Sequence, residues 1–430
     1  MRLSHRQRFF PSTFIFLTFV AFILAAGPAR AQLVGEPAPS AGGSADEPIK
    51  VDGHSHLVVM QYMSWFGLKT QINFQHAEAV PILQSPDMKS VGGGYDSMDP
   101  AIIRQHVKWL EYMGVDAALV DVSNNVGCIF SPDPTSPKFC PPGSTWAFWS
   151  SNWNILQNTG HLYSAWSQLK TRLKLIPELG CLDNQDLAEH EDGKTGVEKE
   201  ADWFGRRMAE YPNMNVEYLG KPLMLVYMGP WPTQSTCSIS SLMEVLHKSG
   251  LDQKYTFRID SGFLDLQPIY WSNPNETPTG PIEMAPTYHY WSWVDQDKPS
   301  YFYYPTYNQS PLAEHDKFRV ENLTAAIATG SGGPDGWGCP TSKQIYCPND
   351  SLRYGDGGGY ATLARFMTAA DRLDPIFLIV HQFNEFNQPD EGWNAESSDD
   401  IEPTQAPGGW EYTAVQAVHD EIVKYRSVHP

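Results

Sequence analysis

Apolar residues along this chain come in two alternating arrangements. Unbroken runs at 57–65 (LVVMQYMSW), 115–122 (VDAALVDV), 173–179 (LKLIPEL), 222–228 (PLMLVYM), 255–260 (YTFRID), 282–288 and 376–382 read as short buried strands. Between them lie segments whose apolar residues recur every three or four positions. One such helix begins at Asp99-Pro100 and stops at Gly114. The Asp99 side chain can accept from the first free amides, and Pro100 occupies a position where an N–H has no helical partner anyway. Ile103, Val107, Leu110 and Met113 share one face of it. Further helices are expected over 161–172, 198–210, 240–248, 318–328, 361–373 and 412–425, the last with Val415, Val418, Ile422 and Tyr425 on one face.

Strands alternating with helices imply a mainly parallel sheet, because a parallel partner needs a crossover long enough to hold a helix. Seven strands are readable, and an eighth is expected within the Gly/Pro/Cys-rich stretch 330–359. The expected architecture is a (β/α)8 TIM-type barrel with long loops, forming a single domain over 51–430; an open doubly wound sheet is the alternative. Gly92-Gly93-Gly94 precedes a helix but follows no strand, and no Walker motif occurs, so no nucleotide cofactor is expected.

The ends of the chain change the picture of where the protein works. Arg2, Arg6 and Arg8 precede an apolar stretch over 14–26 that closes on Ala29-Arg30-Ala31, the layout of a secretory signal peptide spanning 1–31. Its removal takes four arginines and no acids, moving the net charge from −19 to −23. Residues 32–50, rich in Pro, Gly, Ala and Ser, read as a flexible leader. A secreted or periplasmic protein is expected, free of the membrane once the signal is removed. With no basic stripe to neutralise phosphates, nucleic acid is an unsuitable partner. Six cysteines in an exported chain suggest disulfides. Cys128 and Cys140 bracket one Pro-rich loop, as Cys339 and Cys347 bracket another, leaving Cys181 and Cys237 to each other or as free thiols. None has the C-x-x-C spacing of a zinc ribbon.

In a parallel barrel, working residues sit where strands end. Those ends carry Tyr62 and Trp65, Asp121, Ser123 and Asn124, Glu178, Tyr227, Asp260, Tyr288 and His289, and Asn384 with Glu385; Trp291 belongs to an aromatic cluster just beyond. Carboxylates and amides beside aromatic faces suit a polyhydroxylated ligand, whose hydroxyls need fixed partners and whose C–H face needs an apolar platform. Cleaving a glycosidic bond needs one carboxylic acid to protonate the leaving oxygen and a second carboxylate as base or nucleophile. Glu385 with Glu391, or Glu385 with Glu178, can supply the pair.

Four stretches carry a family resemblance. Asn384-Glu385-Phe386, Glu391-Gly392 and Ile401-Glu402-Pro403-Thr404 resemble the "NEW-x-EG … IEPT" block of glycoside hydrolase family 99. YMSWFG at 62–67 and YDSMDP at 95–100 are similar to that family's first strand end and following helix start, and GKPLMLVY at 220–227 to its central strand. The resemblance implies a barrel that cleaves α-linked, mannan-like polysaccharide or oligosaccharide with retention. It places a base toward the sugar 2-hydroxyl at Glu385 and the general acid at Glu391, with no metal and no cofactor. Three extra residues separate the two glutamates here relative to the family, and Ser123-Asn124-Asn125 stands where relatives carry tryptophans. If the insertion moves Glu391 away, Glu178 is the substitute acid.

Two other readings compete. VDGHSHL at 51–57 resembles the H-x-H metal-binding start of amidohydrolase-type barrels, in which His54 and His56 would share an ion with His289 and His381. A secreted barrel with aromatic loops can also bind glycans without cleaving them.

Overall fold

The structure is a computed structural model that describes residues 33–67, 79–91, 93–123, 152–181, 186–189, 192–228, 237–260, 290–291, 321–328, 353–354, 359–386 and 398–430. Ten strands are present in it: β1 (Ile49–Val51), β2 (Leu57–Met63), β3 (Ala117–Asp121), β4 (Lys174–Gly180), β5 (Val216–Tyr218), β6 (Lys221–Tyr227), β7 (Thr256–Asp260), β8 (Tyr290–Trp291), β9 (Asn322–Ala326) and β10 (Phe377–His381). Seven α-helices accompany them: α1 (Pro100–Met113), α2 (Asn152–Leu169), α3 (Gly196–Glu210), α4 (Ile239–Lys248), α5 (Leu251–Lys254), α6 (Ala361–Leu373) and α7 (Thr413–Val428). None of the described helices is long and apolar enough to cross a membrane.

The result is a mixed α/β fold built on a large, mostly parallel sheet. Eight strands pair in parallel in the order β9-β10-β2-β3-β4-β6-β7-β8, so the last of the described strands lies beside the first of this set. β1 and β5 form a side ribbon: β5 turns back on β6 through Leu219 and Gly220, at φ 54° and 77°. Two consecutive positive φ angles define the tight turn whose twist matches antiparallel strands, and glycine takes the second without a steric penalty.

Every residue of β2, β3, β4, β7, β9 and β10 is buried, and alternate side chains enter different clusters. Val58, Met60, Val120, Leu175, Val226, Leu323 and Val380 pack with the helices. Leu57, Val59, Leu119, Ile176, Leu225, Phe377 and Ile379 form a second cluster on the opposite face. This second face meets itself: Phe377 of β10 has Tyr218 at 5.1 Å and Trp291 of β8 at 4.6 Å between ring centroids. β10 and β8 lie near opposite ends of the pairing order, so the sheet curls strongly. Burial on both faces explains why these strands read as continuous apolar runs.

α1 starts and stops as expected. Asp99 accepts from the Ala101 amide at 2.8 Å, and Gly114 closes the helix at φ 81°. α3 begins two residues earlier than its apolar pattern suggests, because Thr195 and Glu198 form a reciprocal capping box. The expected helix over 318–328 is overturned: residues Asn322–Ala326 form β9, paired with β10 along its whole length. Its sequence, NLTAA, has helix-tolerant alanines and no alternation, since both faces are buried; pairing with β10 outweighs that weak local preference. An additional strand therefore lies before 330–359, and the expected strand at 282–288 lies outside the described residues.

Part of the stretch expected to be a flexible leader lies against the fold. The Ala38 amide donates to the Tyr112 carbonyl at 3.0 Å, and the Ala41 amide to Asp116 at 2.7 Å. Cys181 and Cys237 form a disulfide, closing the alternative of two free thiols. The expected pairs Cys128–Cys140 and Cys339–Cys347 lie outside the described residues.

Candidate active site

The face that carries Leu57, Val59, Leu119, Ile176, Leu225 and Ile379 turns polar at the C-terminal end of each strand. Two residues further along, the same parity brings Gln61, Asp121, Glu178, Tyr227 and His381 onto that face. Register aligns Asp121 with Glu178, and Tyr227 with Asp260. The sheet thus gathers three buried acids, Asp121, Glu178 and Asp260, around one phenol.

Proximity and burial couple the charges of these groups. Burial pushes the Glu178 carboxyl well above its usual range, and the charges of Asp121 and Asp260 raise it further; a hydrogen bond shared with Asp260 adds to the effect. Burial raises Asp121 from 3.8 to about 6, against hydrogen bonds from Ser123. Tyr227 is also raised, first by burial, then by the negative charges of Asp121, Glu385, Asp260 and Glu178. Glu385 therefore belongs to this field. Behind the cluster, buried Glu200 of α3 accepts from the Gly180 amide at 3.1 Å, and burial raises its carboxyl well above the normal range. The arrangement sets Glu178, the carboxyl whose affinity for its proton is raised by burial and by Asp121 and Asp260, beside further acids.

Glu385 enters from the end of β10. The chain there is gripped at successive residues. Phe383 stacks on Tyr62, with centroids 5.9 Å apart, and its amide donates to the Gln61 carbonyl at 2.8 Å. Asn384 pairs with the Met63 backbone, accepting from its N–H at 2.8 Å and donating to its C=O at 3.0 Å. Asp400 accepts from the amides of Glu385 and Phe386 at 2.5 and 2.8 Å. Phe386 sits at φ 53°, a conformation costing a bulky residue on the order of 1 kcal/mol, and the Asp400 clamp offsets it. The half-buried Glu385 carboxylate accepts from the Gln382 side chain, which also reaches Asp399 at 3.3 Å. Asp399 meets His381 Nε2 at 3.0 Å, His381 Nδ1 faces Gln61 Oε1, and Gln61 Nε2 donates to Glu178 at 3.0 Å. A continuous polar chain thus links Glu385 to Glu178.

The motif residues converge on a network beneath this chain. Tyr95 donates to Glu402 at 2.6 Å and accepts from Asn384 at 2.9 Å. His106 stands between Glu402, at 3.3 Å, and the Tyr62 hydroxyl, at 2.9 Å. Tyr95 of YDSMDP, Asn384 of the strand end and Glu402 of IEPT therefore meet in one buried assembly. Its atoms are consumed holding the end of β10, which places Glu385.

Of the residues selected from sequence, Asp121, Glu178, Tyr227 and Glu385 come together. Trp65 lies at their edge, donating from its indole to the Asp121 carbonyl at 2.8 Å. Tyr62 points to the helix side of the sheet, and Asn384 is engaged by the Met63 backbone. Trp291 is buried in the apolar cluster, its indole donating to Glu321 at 3.1 Å. Asn124, Tyr288 and Glu391 lie outside the described residues. Gln61, Gln382, Asp399, Asp400 and Glu200 were not selected from sequence. A lone glutamine on the inner parity of LVVMQYM was the available signal for Gln61, and the paired acids abutting IEPT for Asp399 and Asp400. Among the described residues the histidine rival does not assemble, and His289 lies outside them. His54 is exposed on a turn, and His56 precedes β2, whose seven residues span about 20 Å to the carboxylate end.

The chain matches no protein-family model and no curated protein. Among solved structures it is similar to the GH99 endo-α-mannosidase from Bacteroides thetaiotaomicron, with TM-score 0.47 and 14% identity over 88% of this chain and 99% of that one. It is also similar to a GH138 enzyme targeting pectin rhamnogalacturonan II (TM-score 0.34, 9% identity, 90% of this chain and 39% of that one). A third is a family 5 glycoside hydrolase from Bacteroides vulgatus (TM-score 0.31, 10% identity, 82% of this chain and 58% of that one). Similarity at this level assigns neither substrate nor mechanism.

Proposed function

We propose that this protein is an exported glycoside hydrolase that cleaves an α-linked, mannan-like or related polysaccharide or oligosaccharide through carboxyl groups at the ends of its parallel strands. The observation that carries the reading is the linked pair Glu385 and Glu178. One is half-buried at the end of β10, the other fully buried with its carboxyl raised by burial and by neighbouring acids, and the two are joined through Gln382, Asp399, His381 and Gln61. Glycoside hydrolysis asks for such a division between a base and a proton donor. The strand order, with β10 beside β2 and Trp291 packed against Phe377, supports a closed (β/α)8 barrel, in which these residues would line the mouth.

In the proposed reaction Glu385 takes the proton of the sugar 2-hydroxyl as that oxygen attacks the anomeric carbon. A carboxylic acid gives its proton to the departing oxygen and then activates water, so the configuration is retained. Glu391 is the acid indicated by motif order, and Glu178 the one favoured by its burial among other acids and its raised affinity for a proton. The reaction needs no cofactor.

Release of reducing ends from α-linked polysaccharides tests the proposal, comparing wild type with Glu385→Gln, Glu391→Gln and Glu178→Gln. Loss of the base is expected to lower kcat by about 10²–10⁴. The variant lacking the acid should regain rate on aryl glycosides with good leaving groups and lose the basic limb of the pH profile. Full activity in Glu385→Gln would remove the foundation of the reading. Saturable binding with no product would favour a glycan-binding barrel.

A further inference from the structure

At the opposite end of the strands, the unused histidine of VDGHSHL has found different company. His56 Nε2 lies 2.7 Å from Asp374 Oδ1, and His429 Nδ1 lies 2.9 Å from the same oxygen. The three come from distant parts of the chain: the residue before β2, the cap of α6, and the residue after α7. Their ligand-type atoms fall within 4.8 Å of one another.

We propose that His56, His429 and Asp374 form a binding site for a divalent transition metal of the Zn²⁺ class, separate from the carboxylate site. Two imidazoles and one carboxylate are the donor set such ions prefer, with the fourth position left to water. Bonds of about 2.0–2.1 Å in a tetrahedron set N···O separations near 3.3 Å. The cluster must therefore open by about half an ångström, and His429, beyond the end of α7, is placed to yield. The surroundings are those of a supported metal ligand. With Nδ1 on the metal, His429 Nε2 is left with the Asp371 carboxylate 3.6 Å away, just beyond hydrogen-bond distance, where a small shift on binding would let it orient the imidazole. Tyr425 stacks on the His429 ring at 4.6 Å, and Arg426 holds the His56 carbonyl.

A second observation calls for a cation here. Asp371 and Asp374 both lie at the C-terminal end of α6, where the last carbonyls already present negative potential. With Arg372 between them, the two acids leave a net negative charge at a helix end that favours cations. A bound divalent ion neutralises them and ties the close of α7 to the starts of β2 and β10.

The test uses untagged full-length protein stripped with chelator, titrated with Zn²⁺ by calorimetry and by thermal denaturation. The expected result is one saturable site, with Tm raised by about 3 °C at a hundredfold excess over Kd. Asp374→Asn keeps a side chain that tolerates the left-handed backbone, and should weaken binding at least tenfold; Asp371→Asn should weaken it by about tenfold or less. His429→Gln provides an independent removal of a ligand should Asp374→Asn fail to fold. Absence of a saturable site overturns the proposal. So does a site unaffected by Asp374→Asn and His429→Gln but abolished by Glu385→Gln, since the ion would then sit with His381, Glu385 and Asp399.

Discussion

Asp121 and Glu178 show what folding does to an acid placed on the inner face of a parallel sheet. Each binds its proton more tightly in the folded chain than in the unfolded one, because burial penalises the charge. The unfolded state therefore holds fewer protons, and stability falls as pH rises. For Asp121 the loss runs from 3.8 through about 6 and is on the order of 3 kcal/mol. For Glu178 it begins near 4.5 and continues to a higher pH. Denaturant titrations of wild type and Glu178→Gln at several pH values should show the variant gaining on wild type above pH 4.5. The gain should reach up to about 1.4 kcal/mol per pH unit. A constant difference across pH would mean that Glu178 is not a strained acid. The identity of these residues was legible in sequence as polar endings of apolar runs. Their proximity was not, because Asp121, Glu178 and Asp260 meet through register between separate strands.

At the scale of elements, local chemistry was a good guide wherever caps and periodicity act within one segment. α1 is the clearest case, with Asp99, Pro100 and Gly114 marking its ends. Gly114 also shows where a neighbour intrudes: a Cβ there would lie 2.7 Å from the Ala38 Cβ and the Pro39 carbonyl. Gly220 has a similar φ of 77° and nothing within 4 Å. Replacing Gly220 with Ala should cost about 1 kcal/mol, and Gly114→Ala roughly 2–4 kcal/mol, since it adds overpacking to the conformational penalty. Equal losses in urea unfolding would show that Ala38 and Pro39 give way freely. β9 is where local reading failed. Alanine-rich NLTAA has no period of its own when both faces are buried, so its state is set by β10 beside it.

The whole molecule depends on ties between segments far apart in sequence. Arg426 of α7 reaches buried Asp116, which also accepts from the Val58 and Ala41 amides at 2.9 and 2.7 Å. The Cys181–Cys237 disulfide spans 56 residues and fastens the end of β4, just past Glu178, to the segment before α4. Chain-entropy arguments put such a loop near 4 kcal/mol, and reduction should cost about 2–4 kcal/mol of unfolding free energy. Cys181→Ala paired with Cys237→Ala, unfolded in guanidinium, should show the same loss; no change would mean that the cross-link restrains nothing the fold does not already hold. The amino-acid sequence by itself determined the alternation of strands and helices, most element ends, and which polar residues stand at strand ends. These follow from hydrophobic period and capping, which act over a few residues. Tertiary structure alone decided that Glu385 is tied to Glu178, that Tyr95, Asn384 and Glu402 meet, and that His56 lies with His429. Those pairings depend on register and on the curl of the sheet, which bring together residues up to several hundred positions apart.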